Sequence, residues 1–156
     1  MTQKEREKHE QYLDVALAIS KRAKCKRGNF GAVVVKDDII LGTGFNGPAR
    51  GVEHCKVCNR RAYRPSEGYH LCPAVHAETN AVINAGGRRA CMGATMYIDS
   101  HNRTPDEKYN SSSYIFSCDW CGRVMINAGV EYVVYRIDDV VVTDHLPTLV
   151  EIGGIK

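Results

Sequence analysis

His76-Ala77-Glu78 and, about forty residues later, Cys118-Asp119-Trp120-Cys121 are the two stretches that constrain this chain most strongly. Together they supply one imidazole and two thiols, which are donor types that bind zinc in proteins. Three protein ligands leave one tetrahedral position open, and an open position distinguishes a catalytic zinc from a structural one. The Glu78 carboxylate, two residues from the imidazole, is placed to move protons. The two stretches therefore predict a zinc site that performs chemistry.

Both stretches stand at the start of a predicted helix. Residues 76–85 and 118–128 have the apolar spacing of helices, and glycine follows each segment. Because residues three apart share a helix face, Cys118 and Cys121 can reach one ion. The unpaired amides at a helix start favour thiolate over thiol. We therefore expect the metal site to lie between two helix N-termini.

The rest of the chain alternates predicted strands and helices, which indicates an α/β layered domain. The predicted elements are a helix over 3–23, strands over 31–35 and 39–43 joined as a hairpin, a loop over 44–48, strands over 95–98, 114–116 and 132–135, a loop over 99–113, an apolar run at 140–142 and a short helix over 146–152.

Length and composition favour one soluble globular domain over residues 1–156, with 44% hydrophobic and 25% charged residues. No stretch approaches the ~20 apolar residues that span a bilayer. The charged N-terminus lacks the apolar segment of a secretory signal. These features argue against a membrane protein and indicate a cytoplasmic one.

The basic residues do not by themselves predict a nucleic-acid partner, because the formal net charge is only +3. Two local clusters stand out, one over residues 21–27 and one at Arg60, Arg61 and Arg64. Each cluster is either solvated surface or a site for a phosphate carried by a small substrate or by RNA.

Seven cysteines in a chain without a secretory signal favour metal binding over disulfides. Residues 49–75 show no helix or strand period, and a loop of that length is usually functional or held by something other than a core. We expect a second, structural zinc in this cysteine-rich segment; the alternative is a set of free thiols. Cys91 is expected to be a buried apolar residue. The candidate ligands are Cys25, Cys55, Cys58 and Cys72, with His54 or His70 as substitutes.

The motifs and their surroundings resemble the cytidine and deoxycytidylate deaminase superfamily, in particular its deoxycytidylate branch, over about residues 10–135. The resemblance implies a three-layer fold in which helices flank a central mixed sheet of about five strands. It also implies hydrolytic deamination of deoxycytidylate (dCMP) to deoxyuridylate (dUMP), and homo-oligomers, often hexamers. The stretches that carry it are residues 25–35, Gly44-Phe45-Asn46-Gly47-Pro48, His76-Ala77-Glu78-Thr79-Asn80-Ala81, Gly93-Ala94-Thr95-Met96-Tyr97 and Ala128-Gly129-Val130.

By position, the resemblance assigns the catalytic zinc to His76, Cys118 and Cys121. A zinc ion with an open position lowers the pKa of a bound water toward ~7. Glu78 is not a ligand in this scheme; it takes the water proton and delivers it to the departing amine.

The resemblance also implies residues that bind the substrate. Asn46 lies in the stretch that holds the sugar and base, and Arg27 matches a position near the phosphate, where a guanidinium can bond two oxygens. Ala77 and Ser117, which adjoin the zinc ligands, complete the expected substrate-binding set.

Three features depart from the family pattern. Ser117 stands where the signature usually has proline, residues 99–114 contain roughly fifteen more residues than the usual short link, and the chain after Tyr135 is short for the family's last helix and strand. An insertion beside the active site could cover it or change which nucleotide fits.

The sequence is also compatible with other functions. The substrate could be another cytosine species, such as dCTP, a 5-modified dCMP or an antibiotic-like nucleoside. The chain could instead be a tRNA adenosine deaminase, or an inert zinc module that binds a partner through its cysteine-rich segment. The resemblance further implies activation by dCTP and inhibition by dTTP, for which residues 47–51 are the candidate effector stretch.

Overall fold

The structure is a computed structural model that describes residues 1–63, 67–102, 118–137 and 139–151, without the side chains of residues 150 and 151. Five helices and seven strands are assigned in these ranges. The helices are α1 (Gln3–Ser20), α2 (Ala77–Ala85), α3 (Arg88–Cys91), α4 (Asp119–Ala128) and α5 (Leu146–Glu151). The strands are β1 (Asn29–Lys36), β2 (Ile39–Phe45), β3 (Gly47–Pro48), β4 (Ala74–Val75), β5 (Thr95–His101), β6 (Tyr132–Ile137) and β7 (Val140–His145).

One five-stranded mixed sheet forms the centre of the fold, in the order β2-β1-β5-β6-β7. Strands β5 and β6 are parallel, and the other neighbouring pairs are antiparallel. The expected central mixed sheet is therefore confirmed. Strand β7 supplies its fifth strand within the short segment after Tyr135.

Helices cover both faces of the sheet. Alternate strand residues such as Val33, Tyr97 and Val134 form one buried cluster with α1. The intervening residues, such as Val34 and Met96, form the larger cluster with α2, α4 and α5. The expected three-layer arrangement is thus confirmed. No helix in the described ranges combines the length and apolar character needed to cross a bilayer.

The predicted hairpin is present, and its turn explains its register. Asp37 and Asp38 both have positive φ, 52° and 62°. Two left-handed residues make the kind of tight turn whose twist matches that of antiparallel strands. The strands extend beyond the predicted limits, because pairing continues from Lys36 opposite Ile39 to Gly31 opposite Phe45.

Several predicted boundaries are wrong. Helix α1 ends at Ser20, not at residue 23, because the next three amides bond to carbonyls three residues back, in a tighter turn. The predicted 44–48 loop is partly strand, since β2 runs to Phe45 and β3 pairs with β4. The predicted 99–113 loop begins too early, because residues 99–101 pair with β1.

Three further short elements were not predicted, and two predictions lie outside the described residues. Strand β4 and the single 3₁₀ turn at Tyr69–Leu71 interrupt the cysteine-rich segment, and α3 follows α2. The predicted strand at 114–116 and the insertion from residue 103 onward lie outside the described ranges.

Helix α2 lies in direct backbone contact with β2, and two glycines permit this approach. A Cβ atom on Gly44 would overlap backbone atoms of Ala77 and Ala81, and one on Gly42 would lie 2.5 Å from the Ala85 nitrogen. Asparagine side chains fix the same contact: Asn80 Nδ2 donates to the Phe45 carbonyl at 2.9 Å, and Asn84 Nδ2 donates to the Thr43 carbonyl at 2.7 Å. The position of α2 is therefore set by main-chain contact with the sheet.

Gly44→Ala should lower the free energy of unfolding by about 1–3 kcal/mol, because helix α2 must move away from β2 to admit the methyl group. Chemical denaturation with saturating zinc measures this. Gly47→Ala is the matched control, since a Cβ there meets nothing closer than 3.6 Å. Equal midpoints for the two variants would contradict the close approach.

Candidate functional site

Helix α2 positions the first group of the site at its N-terminus. His76 is the N-cap residue, with extended backbone angles, and directly follows β4. Glu78 lies in the first turn and is 6% exposed. The structure thus confirms that the imidazole and the carboxylate stand at a helix start.

Helix α4 positions the two thiols in the same way. Cys118 is its N-cap residue, and its Sγ accepts a hydrogen bond from the Cys121 amide at 3.5 Å. Cys121 lies one turn further along and is fully buried. The predicted convergence of two helix N-termini is therefore present.

His76, Cys118 and Cys121 meet with the spacing of metal ligands. Their candidate ligand atoms all lie within 4.8 Å of one another. His76 Nδ1 stands 3.4 Å from Cys118 Sγ and 3.2 Å from Cys121 Sγ. Around a tetrahedral zinc, with its usual bond lengths, a nitrogen and a sulfur ligand stand about 3.5 Å apart. The three side chains therefore fit one zinc ion.

The negative charges of the two thiols, when both are ionised, require a cation to balance them. The hydrogen bond from Cys121 lowers the pKa of Cys118, whereas the bond to Cys118 and burial raise the pKa of Cys121. Two adjacent thiolates, one half-buried and one buried, repel each other, so the protein alone favours ionisation of a single thiol. A divalent cation between the sulfurs removes this restriction, as expected for a zinc ligand set.

The His76 imidazole is influenced by the same groups. Its burial lowers the pKa, but the hydrogen bond to Cys118 and the charge of Glu78 outweigh that effect and leave the pKa above its ordinary value. The ring also receives an edge-on contact from the Tyr69 ring, with centroids 5.1 Å apart. The imidazole is therefore held by contacts from both α4 and the cysteine-rich segment.

The short β3–β4 ribbon connects Asn46 to the site. Gly47, the next residue, pairs with Val75, which immediately precedes His76. Asn46 is 8% exposed; its Oδ1 accepts from the Phe30 amide at 2.8 Å and its Nδ2 donates to the Gly28 carbonyl at 2.9 Å. Its amide therefore fixes the start of β1 to the end of β2.

The other expected substrate-binding residues have different surroundings. Ala77 is fully buried and is the first residue of α2. Arg27 donates from Nη1 to the Arg60 carbonyl at 2.7 Å and from Nη2 to the Tyr63 carbonyl at 2.9 Å, so its guanidinium holds the cysteine-rich segment. Ser117 lies outside the described residues.

The expected second metal cluster is only partly assembled. Cys25, Cys55, Cys58 and Cys72 line one cavity together with His54, whereas His70 is exposed and does not line it. Among the described residues, the three-ligand group within 4.8 Å is the one at His76, and the cavity thiols do not form such a group. Cys91 is fully buried, as expected.

Thr79 and Tyr69 were not singled out from the sequence as site residues, and Arg60 was noted only as a member of a basic cluster. Thr79 Oγ1 lies 3.8 Å from Cys121 Sγ, Tyr69 packs on His76, and Arg60 stacks on Tyr69 with its guanidinium carbon 3.9 Å from the ring centroid. Thr79 follows Glu78 directly, so its helical position was an available signal. The contacts of Tyr69 and Arg60 depend on the path of an irregular segment.

Comparison with known proteins agrees with this geometry. The family profile described as "Cytidine and deoxycytidylate deaminase zinc-binding region" matches residues 6–137. The deoxycytidylate deaminase of Mycobacterium phage D29 is 36% identical over 133 residues, which are 81% of this chain and 91% of the phage protein. The deoxycytidylate deaminase of Saccharomyces cerevisiae is 28% identical over 126 residues, 80% of this chain but 36% of the yeast protein.

A solved structure shares the fold. The dCMP deaminase of cyanophage S-TIM5, crystallised with dCMP and dUMP, is similar with a TM-score of 0.60 and 27% identity, over 87% of this chain and 83% of the cyanophage chain. Family profile, relatives and fold agree with the convergence of His76, Cys118 and Cys121, and the chain belongs to the zinc-binding cytidine and deoxycytidylate deaminase family.

Proposed function

We propose that this chain catalyses the zinc-dependent hydrolysis of dCMP to dUMP and ammonia. The observation that carries the proposal is the meeting of His76, Cys118 and Cys121 within 4.8 Å, with buried Glu78 in the adjoining helical turn. The names of the phage and yeast relatives, and the nucleotides bound by the cyanophage protein, support the choice of dCMP.

The proposed chemistry divides between the metal and the carboxylate. His76, Cys118 and Cys121 would hold the zinc, which would supply an open position that acidifies a bound water molecule. Glu78 takes a proton from the water as the water oxygen bonds to C4 of the cytosine ring, and it delivers that proton to the amine that leaves C4 as ammonia. Burial of Glu78 keeps bulk water from competing for that proton.

The proposed substrate-binding residues are Asn46, Arg27, Ala77 and Ser117. Asn46 lies next to the ribbon that leads to His76, which supports a position beside the sugar and base. The buried Ala77 stands beside His76, where its backbone can border the base. We place Arg27 on the phosphate side, where it anchors residues 60–63, and Ser117 next to the Cys118 ligand.

The domain organisation, location, oligomeric state and regulation of the chain belong to the same proposal. We propose a single deaminase domain over residues 1–156, a cytoplasmic location and a homo-oligomer, with a hexamer as the favoured form. Exposed apolar side chains support self-association; they are Ile83, Met92 and Trp120, which are 62%, 50% and 65% exposed. Regulation by dCTP and dTTP through residues 47–51 rests on the resemblance to the deoxycytidylate branch.

The alternative functions receive less support. The relatives described above are named deoxycytidylate deaminases, and these names favour dCMP as the substrate over dCTP, a 5-modified dCMP or tRNA adenosine. Glu78 is intact and buried next to the ligand set, which argues against an inert zinc module.

Glu78→Gln should retain the catalytic zinc and lower kcat for dCMP by at least about 10²-fold, because the amide cannot carry the proton. Ammonia release measures the rate and metal analysis measures the zinc. The matched control is Glu7→Gln on the exposed side of α1, which should leave both unchanged. Turnover retained in Glu78→Gln would contradict the assigned role.

The same assay identifies the substrate when it is run on a panel of dCMP, dCTP, 5-methyl-dCMP, deoxycytidine and tRNA. The proposal expects the highest kcat/KM for dCMP. A higher value for another member would replace dCMP, and zinc-loaded protein inactive on the whole panel would favour the inert module.

We further propose that the cysteine-rich segment binds a second, structural zinc. The supporting observation is the shared cavity: Cys25, Cys55, Cys58 and Cys72 all line it and are all half-buried, and His54 lies at the same cavity. Thiolates and an imidazole form the usual donor set of a structural zinc. Binding would draw these side chains together within an irregular segment and supply folding free energy there.

The purified protein should contain about two zinc ions per chain, one for each proposed site. Cys55→Ser should lose one ion and lower the melting temperature while largely preserving kcat; Cys121→Ser should also lose one ion but abolish turnover. Metal analysis, thermal unfolding and ammonia release distinguish the two sites. One zinc per chain in the unmodified protein would remove the second site.

A further inference from the structure

The Thr79 hydroxyl lies against one of the three metal ligands. Its Oγ1 stands 3.8 Å from Cys121 Sγ, within the longer hydrogen-bond range of a sulfur atom. Thr79 follows His76 by three residues, so both side chains lie on the face of α2 that meets α4. Cys118 and Cys121 have the same spacing on α4. The hydroxyl therefore belongs to the contact between the two helix starts.

The position and orientation of the Thr79 side chain are both set by tertiary contacts. Asn80, the next residue, ties this turn of α2 to the sheet, because its Nδ2 donates to the Phe45 carbonyl at 2.9 Å. The hydroxyl of a threonine in a helix often bonds to a carbonyl three or four residues back. Within the described ranges, the Thr79 hydroxyl instead bonds to Cys121 Sγ. The hydroxyl is therefore directed at α4 and not at its own helix.

Each of the two sulfurs has a hydrogen-bond donor of its own. Cys118 Sγ accepts from the Cys121 amide at 3.5 Å, whereas Cys121 itself is fully buried. His76 Nδ1 lies 3.2 Å from Cys121 Sγ, but a ring nitrogen whose lone pair binds a metal carries no proton to donate. In the part of the chain that the structure describes, Thr79 is then the side chain that can donate to Cys121 Sγ.

We propose that the Thr79 hydroxyl donates a hydrogen bond to the Cys121 thiolate and so holds this sulfur as an ionised ligand of the catalytic zinc. The inference rests on the zinc site of the proposed function, and Thr79 is a positioning residue because it acts on the metal through Cys121. A buried thiolate loses its hydration, and a hydrogen bond to the charged form offsets part of that loss. Such bonds to ligand atoms also fix the ligand orientation and tune the metal.

The test compares variants that differ in one hydroxyl. Thr79→Val replaces the hydroxyl by a methyl group of similar size, whereas Thr79→Ser keeps the hydroxyl. In competition with a chelator, Thr79→Val should weaken binding of the catalytic zinc about 10-fold, and Thr79→Ser should bind nearly as tightly as the unmodified chain. Cys121→Ser identifies which step of the titration belongs to the catalytic site. Thr143→Val, at an exposed position of β7, is the matched control and should leave the affinity unchanged.

Cobalt(II) in place of zinc adds a spectroscopic readout, because its thiolate charge-transfer absorption depends on the charge held by the sulfur. Loss of the hydrogen bond raises the energy of the sulfur electrons. Thr79→Val, and Thr79→Ala should the valine variant fail to fold, should therefore move this band to longer wavelength, while Thr79→Ser should not. Absorption from thiols of the cysteine-rich segment is common to all these proteins and cancels in the difference spectrum.

Three results would overturn the assignment. An unchanged cobalt spectrum in Thr79→Val or Thr79→Ala would exclude a hydrogen bond to a metal-bound sulfur. Unchanged zinc affinity would show that the hydroxyl does not hold the ligand. Equal losses in Thr79→Ser and Thr79→Val would show a packing role. Failure of the proposed function is separate: the unmodified chain would then bind zinc but release no ammonia from dCMP, while affinity and spectrum would still report on Thr79.

Discussion

The contact between helix α2 and strand β2 determines where the chemistry of this protein can take place. Gly42 and Gly44 let the helix backbone approach the strand backbone, and Asn80 ties the first turn to the Phe45 carbonyl. His76 and Glu78 belong to the same turn, so their positions follow from that contact. A side chain between the two backbones would displace the imidazole from the thiols of α4, and precise ligand placement is what a zinc site requires.

The two helix N-termini that meet at the site also shape its charge. Each helix directs unpaired amides and partial positive charge toward the same point, and one such amide donates to Cys118 Sγ. This field stabilises a thiolate at Cys118, whereas the hydrogen bond to Cys118 and burial raise the pKa of Cys121. The metal completes the arrangement: its two positive charges allow both sulfurs to ionise, so zinc binding and proton release are coupled.

The parts of the fold that were predictable from the sequence are those governed by local rules. His76 and Cys118 were correctly placed at helix starts because spacing within a helix fixes which residues share a face. The β3–β4 ribbon was not predicted, since strands of two residues carry no periodicity. Asp99 was assigned to a loop because it is polar, yet it lies in β5, where its carboxylate pairs with Arg136 at 2.5 Å. Tertiary pairing of this kind leaves no trace in a local pattern.

The arginines of the cysteine-rich segment show the same limit at the level of function. Arg60 and Arg61 are adjacent and chemically identical, but the first is buried against Tyr69 and the second is exposed. Sequence alone gives both the same potential for binding a phosphate. Arg27 binds the carbonyls of Arg60 and Tyr63, and contacts of this kind, between residues far apart in the chain, do not appear in a local pattern. The surroundings that distinguish two identical neighbours are therefore set by tertiary contacts and not by their own stretch of sequence.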